Sequence, residues 1–376
     1  MRVVCGMSGG VDSSVAALLL KEAGHEVVGL FMRNGVAAPR PRASHKSCCS
    51  VADATDARRV ASHLGIPFYA ANLKEDFDRL VGHFVDEYAR GRTPNPCVVC
   101  NRDLKFGRIL EYAEGMSAEK VATGHYARVE RLAGGRWGVR RGVDAAKDQS
   151  YTIASLSQRQ LEATLLPLGG MTKGEVRDVA RRAGLPVAEK PESMEICFVP
   201  DDDYGRLVRE RAPEAVRPGE VRDVAGRLLG RHEGTPLYTI GQRHGLRVAL
   251  GRPAYVVEIL PETNTIVVGF DEDTLSEGLE ASGMNWVAMA PPEREATFRV
   301  EAQIRYHHRP APSLVSALGD GRIEVRFDEP QRAVTPGQAL VLYAGDTVLG
   351  GGWIDSGWRA ASPSADLRLR SAHEVR

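Results

Sequence analysis

Several features that would assign this sequence to a special class of protein are missing from it. The 376 residues carry no net charge, since 49 lysine and arginine residues balance 49 aspartate and glutamate residues. An overall basic charge, the usual mark of a nucleic-acid binder, is therefore absent. The chain also lacks an apolar run of the roughly 18 residues that a membrane helix needs, and its strand-like start predicts no signal peptide. We therefore expect a globular protein of the cytoplasm.

Cysteine is scarce too, with six residues in the whole chain. In a reducing compartment so few thiols do not form a disulfide framework, and they favour catalysis or metal binding instead. A chain of this length exceeds what one compact core supports, while its 43% hydrophobic residues can fill several cores. We therefore expect two or three domains, with function concentrated around the cysteines.

Strand and helix patterns alternate through the first two hundred residues. This alternation predicts an α/β domain with a doubly wound parallel sheet, in which ligands bind at the carboxyl ends of the strands. The predicted strands are 3–5, 26–32, 68–73 and 121–123, and the predicted helices are 11–23, 50–64 and 75–90.

Beyond about residue 200 the pattern changes to short β-rich runs separated by glycine and proline. Runs at 255–260 and 265–270 predict a hairpin. Those at 297–305, 322–327, 339–343 and 347–354 have a spacing typical of a small barrel or sandwich. The sequence thus predicts a catalytic domain over 1–200, a small central β-rich domain over 201–278, a C-terminal β-barrel over 279–360 and a flexible tail over 361–376.

A glycine-rich segment, SGGVDS from Ser8 to Ser13, lies between the first predicted strand and the first predicted helix. Two glycines allow the backbone to approach an anion, and the helix start offers unpaired N–H groups and a positive dipole end. No lysine of the Walker type follows, so the turn suits a pyrophosphate leaving group better than a γ-phosphate. The alternative is a turn that only satisfies its own backbone.

Two cysteines lie at a predicted helix start, in which Asn95 is the N-cap and Pro96 the first helical residue. Cys97 and Cys100 would share one face of its opening turns, where the helix dipole lowers the pKa of a thiol. A third candidate, Cys197, lies nearly a hundred residues further along the chain, in the connector that leaves the first domain. This arrangement predicts reactive thiols.

The chain resembles the tRNA-specific 2-thiouridylases, a family of PP-loop ATP pyrophosphatases. Collinear motifs over nearly the full length carry this resemblance: GMSGGVDSS, GLFMRN, GRTPNPCVVCN, ATGHYAR, KDQSY, EICF, TIGQRHGL and TPGQ. The resemblance implies ATP-dependent replacement of the C2 oxygen of the wobble uridine by sulfur, with Mg²⁺ as the metal. It assigns ATP binding to Gly6, Met7, Ser8, Gly9, Gly10, Val11, Asp12, Ser13, Met32 and Gly124.

The same resemblance assigns Cys100 and Cys197 as the working pair. It implies that Cys197 receives a persulfide from a relay protein or cysteine desulfurase, and that ATP adenylates the uridine O2. The terminal sulfur then attacks C2, while Cys100 assists product release and can form a disulfide with Cys197. The implied substrates are the tRNAs for Lys, Glu and Gln.

The chain departs from many relatives at Cys97, where they carry the aspartate proposed as an acid/base group. Cys97, Cys100 and Cys197 together could instead hold a [4Fe–4S] cluster with one open iron, an alternative that rests on spacing alone. Cys48 and Cys49 lack the usual spacing of zinc-binding pairs, so a loop near the active site is preferred for them.

The predicted tRNA contacts also depend on the resemblance. Without it, each of the residues named next would be assigned to a solvated surface. Asn95, Pro96 and Cys97 are expected at the target base, and His125, Lys147, Asp148, Gln149, Arg305, Tyr306 and Gln338 elsewhere on the tRNA. Two other functions stay open at this point: an amide-forming PP-loop ligase, which has no need for paired thiols, and a non-catalytic RNA-binding or metal-sensing module.

Overall fold

A computed structural model of the chain describes residues 1–35, 51–191, 196–199 and 201–359. Cys48, Cys49 and the tail over 361–376 lie outside the described residues. Within that part of the chain, none of the helices has the length and apolar character needed to cross a membrane. The strands form three sheets of five, four and eight members.

The first sheet is entirely parallel, with strand order β3-β2-β1-β4-β7. Its strands are β1 (Arg2–Gly6), β2 (Glu26–Arg33), β3 (Phe68–Asn72), β4 (Lys120–Ala122) and β7 (Thr164–Leu165). Apolar residues fill the central strand, where Val3, Val4 and Cys5 have no exposed surface. The predicted parallel sheet is confirmed, and because β1 is central, the turn that follows it lies at the middle of the carboxyl edge.

Helices of this domain connect the parallel strands and cover the sheet. They are α1 (Val11–Glu22), α2 (Val51–Leu64), α3 (Lys74–Ala89), α4 (Pro96–Cys100), α5 (Ile109–Gly115), α6 (Ser150–Ile153), α7 (Gln158–Glu162) and α8 (Lys173–Arg182). A π-helical segment, Asn101–Arg108, joins α4 to α5, so that one continuous helix runs over 96–115. π-Helical turns of this kind often occur at functional sites, and this one begins directly after Cys100.

The central sheet has four strands in the order β10-β11-β8-β9. They are β8 (Gly219–Asp223), β9 (Leu228–His232), β10 (Tyr255–Leu260) and β11 (Thr265–Gly269), and helix α9 (Tyr204–Arg211) precedes them. The predicted hairpin is confirmed as the antiparallel pair β10–β11. Helix α9 packs against α3 in the same apolar cluster, since Leu207 and Val208 join Phe77 and Phe84 there. This contact fixes the central sheet to the first domain.

The C-terminal barrel consists of six strands: β12 (Leu275–Trp286), β13 (Thr297–Gln303), β14 (Ala311–Gly319), β15 (Arg322–Arg332), β16 (Ala339–Ala344) and β17 (Thr347–Trp358). Pairing of β12 with both β15 and β17 closes the sheet on itself. Buried side chains such as Val315, Val325 and Leu340 fill the interior. The predicted C-terminal β-barrel is therefore confirmed.

A hairpin of the first domain extends the barrel sheet. Its strands, β5 (Ala127–Arg131) and β6 (Trp137–Arg141), pair with each other, and β6 also pairs with β17. The Asp346 carboxylate accepts hydrogen bonds from Arg128 at 2.8 Å and from Arg140 at 3.0 Å across this junction. Shared backbone pairing thus joins the two domains and fixes the position of the barrel relative to the catalytic domain.

Candidate active site

The glycine-rich turn connects β1 to α1 at the centre of the sheet's carboxyl edge. Gly9 has a φ of +75°, which favours glycine, and Gly10 is the N-cap of α1 without any side-chain cap. The Ser13 hydroxyl accepts a hydrogen bond from the Ser8 N–H at 3.2 Å and donates one to the Gly10 carbonyl at 3.2 Å. The serines thus hold the turn in shape, while the first turn of α1 remains available to an anion.

Two close backbone approaches show why particular positions are glycine. A β-carbon on Gly9 would overlap the backbone carbonyl oxygen of Asp53 at the start of α2. One on Gly124, just after β4, would lie 2.7 Å from the backbone of Asp12 and Ser13. The backbones of α2 and of the segment after β4 therefore lie close to the turn and the start of α1. Met32, near the end of β2, lies on the neighbouring strand of the same edge.

The Asp12 carboxylate is engaged within the protein. Lys173, the first residue of α8, donates to both of its oxygens at 2.7 and 2.8 Å, and the Tyr126 hydroxyl donates at 2.7 Å. A lysine from a distant helix thus lies beside a turn whose own sequence lacks one. Sequence reasoning missed Lys173, because a lysine in the first turn of an amphipathic helix gives no signal of its partner.

A second lysine contacts the other side of the turn. Lys190 donates to the Gly9 carbonyl at 2.9 Å and to the carboxylates of Asp53 and Asp56 at 2.7 Å each. Burial acts to lower the pKa of Lys190, but hydrogen bonds to the two carboxylates outweigh it and raise that pKa. Lys190 is therefore a charged group held at the turn, and sequence reasoning missed it as well.

The predicted helix start before the cysteines is confirmed. The Asn95 side chain accepts a hydrogen bond from the Val98 N–H at 3.3 Å, and Pro96 is the first residue of α4. Cys97 is exposed on this first turn, whereas Cys100 is half-buried. The dipole of the continuous helix favours the thiolate of a cysteine placed so near its start.

Cys100 and Cys197 contact the same apolar cluster despite their separation in sequence. Both pack against a core built from α3, α4, α9 and the segment 196–199, which includes Phe84, Val99 and Phe198. Both are half-buried. The structure therefore brings the two stretches of chain to one cluster, and the chemical roles of these cysteines stay predictions.

A metal centre at these cysteines lacks a matching ligand set. In the chain outside 36–50, 192–195, 200 and 360–376, no group of three or more His, Cys, Asp or Glu residues is arranged to hold a metal ion. Cys97 faces solvent, whereas Cys100 and Cys197 pack on an apolar core. The described residues thus do not fit a [4Fe–4S] cluster, and we derive no step through one.

The turn containing Gln338 supports the segment that leads to the cysteines. The Gln338 side-chain amide donates to the carbonyls of Thr93 at 2.9 Å and Pro94 at 3.1 Å, directly before Asn95. Gly337 has a φ of +88°, and a β-carbon there would lie 2.9 Å from the Thr93 carbonyl oxygen. The barrel thereby positions the start of α4.

A cavity of about 220 Å³ lies where the three domains meet. Its lining comes from all three domains: Thr93, Thr239, Ile240, Ile304, Arg305, Ala333, Thr335 and Gln338. Arg305 is half-buried, and Tyr306 beside it lies 6.0 Å from Tyr151 between ring centroids. Two of the residues predicted to contact tRNA, Arg305 and Gln338, therefore line the same cavity as Thr93, in the segment before Asn95.

The predicted contact segment from Lys147 to Gln149 has internal hydrogen bonds. The Asp148 carboxylate accepts from the Gly142 N–H at 2.9 Å, from the Arg141 guanidinium at 3.1 Å and from the Ser150 hydroxyl at 2.8 Å. Gln149 accepts from the Tyr126 N–H at 3.0 Å. These bonds hold the loop that follows the β5–β6 hairpin in one conformation. Asp148 therefore stabilises this loop through internal hydrogen bonds.

His125, another residue predicted to contact tRNA, is buried at 6% exposure. Its Nδ1 lies 2.7 Å from the Thr123 hydroxyl, and its ring lies 5.7 Å from that of Phe106. Burial, with a smaller effect of the Lys105 charge, lowers the pKa of His125 well below its usual value. The imidazole is therefore neutral in the folded protein.

This neutral histidine predicts a pH-dependent stability. Below a pH of about 6.5 the unfolded chain binds a proton at His125, whereas the folded chain does not. As the pH is lowered through this range, the free energy of unfolding therefore decreases by up to about 1.4 kcal/mol for each pH unit. A His125→Gln variant should lose this contribution and show a shallower decline between pH 7.5 and 5.5 in urea denaturation. Parallel declines for the two proteins would contradict a neutral His125.

Comparisons with known proteins agree with this architecture. Residues 1–201 match the model of the tRNA methyl transferase HUP domain, 207–270 the tRNA methyl transferase PRC-barrel domain and 276–354 the aminomethyltransferase beta-barrel domain. The chain is 51% identical to the tRNA-specific 2-thiouridylase MnmA of Geobacter metallireducens, over 94% of this chain and 97% of that protein. The corresponding protein of Carboxydothermus hydrogenoformans is 50% identical over the same shares. The chain belongs to the tRNA-specific 2-thiouridylase MnmA family.

Proposed function

We propose that this chain is a tRNA sulfurtransferase that uses ATP to replace the C2 oxygen of the wobble uridine with sulfur. The observation that carries the proposal is the packing of Cys100 and Cys197 on one apolar cluster, in a domain whose central strand ends in a glycine-rich anion-binding turn. A PP-loop amide ligase has no need for this pair of thiols. Because ATP and tRNA are the substrates, we place the reaction in the cytoplasm.

Activation of the uridine is assigned to the turn between β1 and α1. The uncapped first turn of α1 suits the phosphates of ATP, and Lys173 brings a positive charge to the same place. Asp12 is the carboxylate that would hold Mg²⁺, and it would have to exchange its contacts to Lys173 and Tyr126 for the metal. Attack of O2 on the α-phosphate of ATP then releases pyrophosphate and leaves O2 joined to AMP, which makes that oxygen a leaving group.

Sulfur transfer is assigned to the two cysteines. A persulfide on Cys197 attacks C2 with its terminal sulfur, and AMP leaves with the former O2. The Cys100 thiolate then attacks the Cys197 sulfur, which releases 2-thiouridine and leaves a disulfide between the two cysteines. Packing on one cluster supports this pairing, because the second step needs direct contact of the two sulfur atoms.

Recognition of tRNA is assigned to the junction of the three domains. Asn95, Pro96 and Cys97 form the start of α4, where Cys97 is exposed and Pro96 is buried, and they are proposed to receive the uridine after it leaves its stack. Arg305 and Tyr306 offer a phosphate contact and a stacking ring beside it. We further propose the tRNAs for Lys, Glu and Gln as substrates, and a persulfide-carrying protein or cysteine desulfurase as the sulfur donor.

The proposal is tested by incubating the purified chain with ATP, Mg²⁺, unmodified tRNA and a persulfide donor. We expect AMP, pyrophosphate and 2-thiouridine in equal amounts, measured by chromatography and nucleoside mass spectrometry. ATP consumption without 2-thiouridine would favour an amide ligase. Tight tRNA binding without any ATP consumption would favour a non-catalytic RNA-binding module. Iron analysis after anaerobic purification tests the cluster alternative independently of activity.

A further inference from the structure

An ion pair lies beside the glycine-rich turn. The Lys173 ammonium donates to both oxygens of the Asp12 carboxylate, and the two side chains keep 12% and 31% of their exposure, respectively. Asp12 is the second residue of α1, so its own N–H belongs to the uncapped first turn that suits an anion. The lysine is therefore one hydrogen bond away from a residue of the proposed phosphate site. This contact is called the Asp12–Lys173 pair below.

The position of Lys173 is fixed by contacts that do not involve Asp12. The Asp144 carboxylate accepts a hydrogen bond from the Lys173 N–H at 2.9 Å. In the capping box just before it, the Thr172 hydroxyl accepts from the Glu175 N–H at 3.3 Å, and the Glu175 carboxylate accepts from the Thr172 N–H at 2.7 Å. The start of α8 would thus keep Lys173 beside the turn if its ammonium moved to another partner.

Helix stability does not explain a lysine at this position. The positive end of the helix dipole lies at the start of α8, where a cation is unfavourable and an anion is favoured. Residues that break such a local rule are expected at functional sites. A lysine that weakens its own helix, and that is held against the phosphate-binding turn, therefore indicates a role in that turn.

We propose that Lys173 binds the phosphate groups of the substrate and that Asp12 occupies it until Mg²⁺ is present. The Asp12–Lys173 pair thereby makes the turn selective for magnesium-complexed phosphates over metal-free anions. This inference rests on the proposed function, because it deepens the assignment of the ATP site to this turn.

A metal-free anion meets two obstacles at the pair. It has to displace the Asp12 carboxylate from Lys173. It then lies close to that carboxylate, and like charges repel each other more strongly in a partly buried site than in water. The phosphate therefore gains one contact to the ammonium at the cost of an existing ion pair and of a new repulsion.

Both obstacles disappear when the anion carries Mg²⁺. Asp12 can pass from Lys173 to the metal, since oxygen atoms of carboxylates are ligands that Mg²⁺ prefers. The Lys173 ammonium then donates a charge-assisted hydrogen bond to a phosphate oxygen. After this exchange each of the two side chains again faces an opposite charge, so no ion pair is lost on binding.

An Asp12→Asn variant tests the selection, because it keeps the shape of the side chain and removes its charge. Calorimetric titration with inorganic pyrophosphate measures the affinity with Mg²⁺ and with a chelator in its place. In the unaltered protein we expect Mg²⁺ to strengthen binding by roughly tenfold or more, the effect of one charge-assisted contact. In the Asp12→Asn variant we expect metal-free pyrophosphate to bind roughly tenfold more tightly than to the unaltered protein, and Mg²⁺ to change this affinity by less than about twofold.

A second change shows whether Lys173 itself contacts the phosphate. Lys173→Met in the Asp12→Asn background removes both charges of the pair together, so that no carboxylate at this position loses its cation. We expect this double variant to bind metal-free pyrophosphate roughly tenfold more weakly than Asp12→Asn alone. Equal affinities of the two variants would show that Lys173 acts only through Asp12, and would overturn its assignment as a phosphate-binding residue.

Lys21→Met is the matched control, because the Lys21 ammonium contacts the Leu64 carbonyl near the opposite end of α1. It should leave both affinities unchanged. Equal binding of metal-free and magnesium-complexed pyrophosphate by the unaltered protein would overturn the selection, as would an Asp12→Asn variant whose metal-free affinity does not rise. An unaltered protein that binds no pyrophosphate even with Mg²⁺ would instead contradict the proposed ATP site.

Discussion

Replacement of Cys197 by serine is expected to abolish 2-thiouridine formation, by a factor on the order of 10³ or more, because a hydroxyl cannot carry a transferable sulfur. ATP affinity should change by less than about twofold, since Cys197 packs on the cluster around Phe198 rather than at the glycine-rich turn. Cys100→Ser is expected to block product release in the same assay. The measurement is nucleoside mass spectrometry of tRNA after a single turnover, with calorimetry for ATP.

Cys97→Asp is the informative companion to these variants. Cys97 is exposed and forms no bond to the transferred sulfur in the persulfide scheme, so that scheme predicts that Cys97→Asp retains thiolation. Substantial 2-thiouridine formation by Cys197→Ser would contradict the assignment of Cys197 as sulfur carrier. Loss of both iron and activity on changing Cys97 would favour a cluster over a persulfide.

Features set by neighbouring residues were predictable from the sequence. The Asn95 cap and Pro96 follow from local capping chemistry, and the bounds of β10 agree with the predicted run. The turn at Gly9 was predictable for the same reason, since two glycines between a strand and a helix have a local conformational meaning. Positions of this kind need no knowledge of distant parts of the chain.

Features that depend on distant partners were not predictable. The β5–β6 hairpin joins the barrel through pairing of Val139 with Val348, which no local pattern indicates. No local pattern indicates the π-helical segment after Cys100 either. Lys173 and Lys190 look like ordinary charged residues until folding places them against Asp12 and Gly9. The two lysines of the candidate site can therefore be identified only from the tertiary structure.

Gly9→Ala is expected to remove ATP and pyrophosphate binding, weakening the affinity by roughly a hundredfold or more. Alanine resists a φ of +75°, and its β-carbon would overlap the Asp53 carbonyl oxygen, a backbone atom that cannot move alone. Either the turn changes conformation or the start of α2 shifts, and both disturb the Gly9 carbonyl that accepts from Lys190. Calorimetric titration with pyrophosphate and Mg²⁺ measures the loss.

Two further glycine variants separate folding from binding in this prediction. Gly82→Ala lies within α3 with no heavy atom within 4 Å of the added carbon, so it should stabilise the protein by about 0.5–1 kcal/mol and leave pyrophosphate affinity unchanged. At Gly10 an added carbon meets only the Ser8 hydroxyl, at 3.6 Å, so the fold should tolerate alanine. Weakened pyrophosphate binding by a stable Gly10→Ala protein would then report direct approach of the anion to this residue. Unchanged pyrophosphate affinity in both Gly9→Ala and Gly10→Ala would show that phosphate binds elsewhere than the turn. The proposed site of uridine adenylation would then be wrong as well.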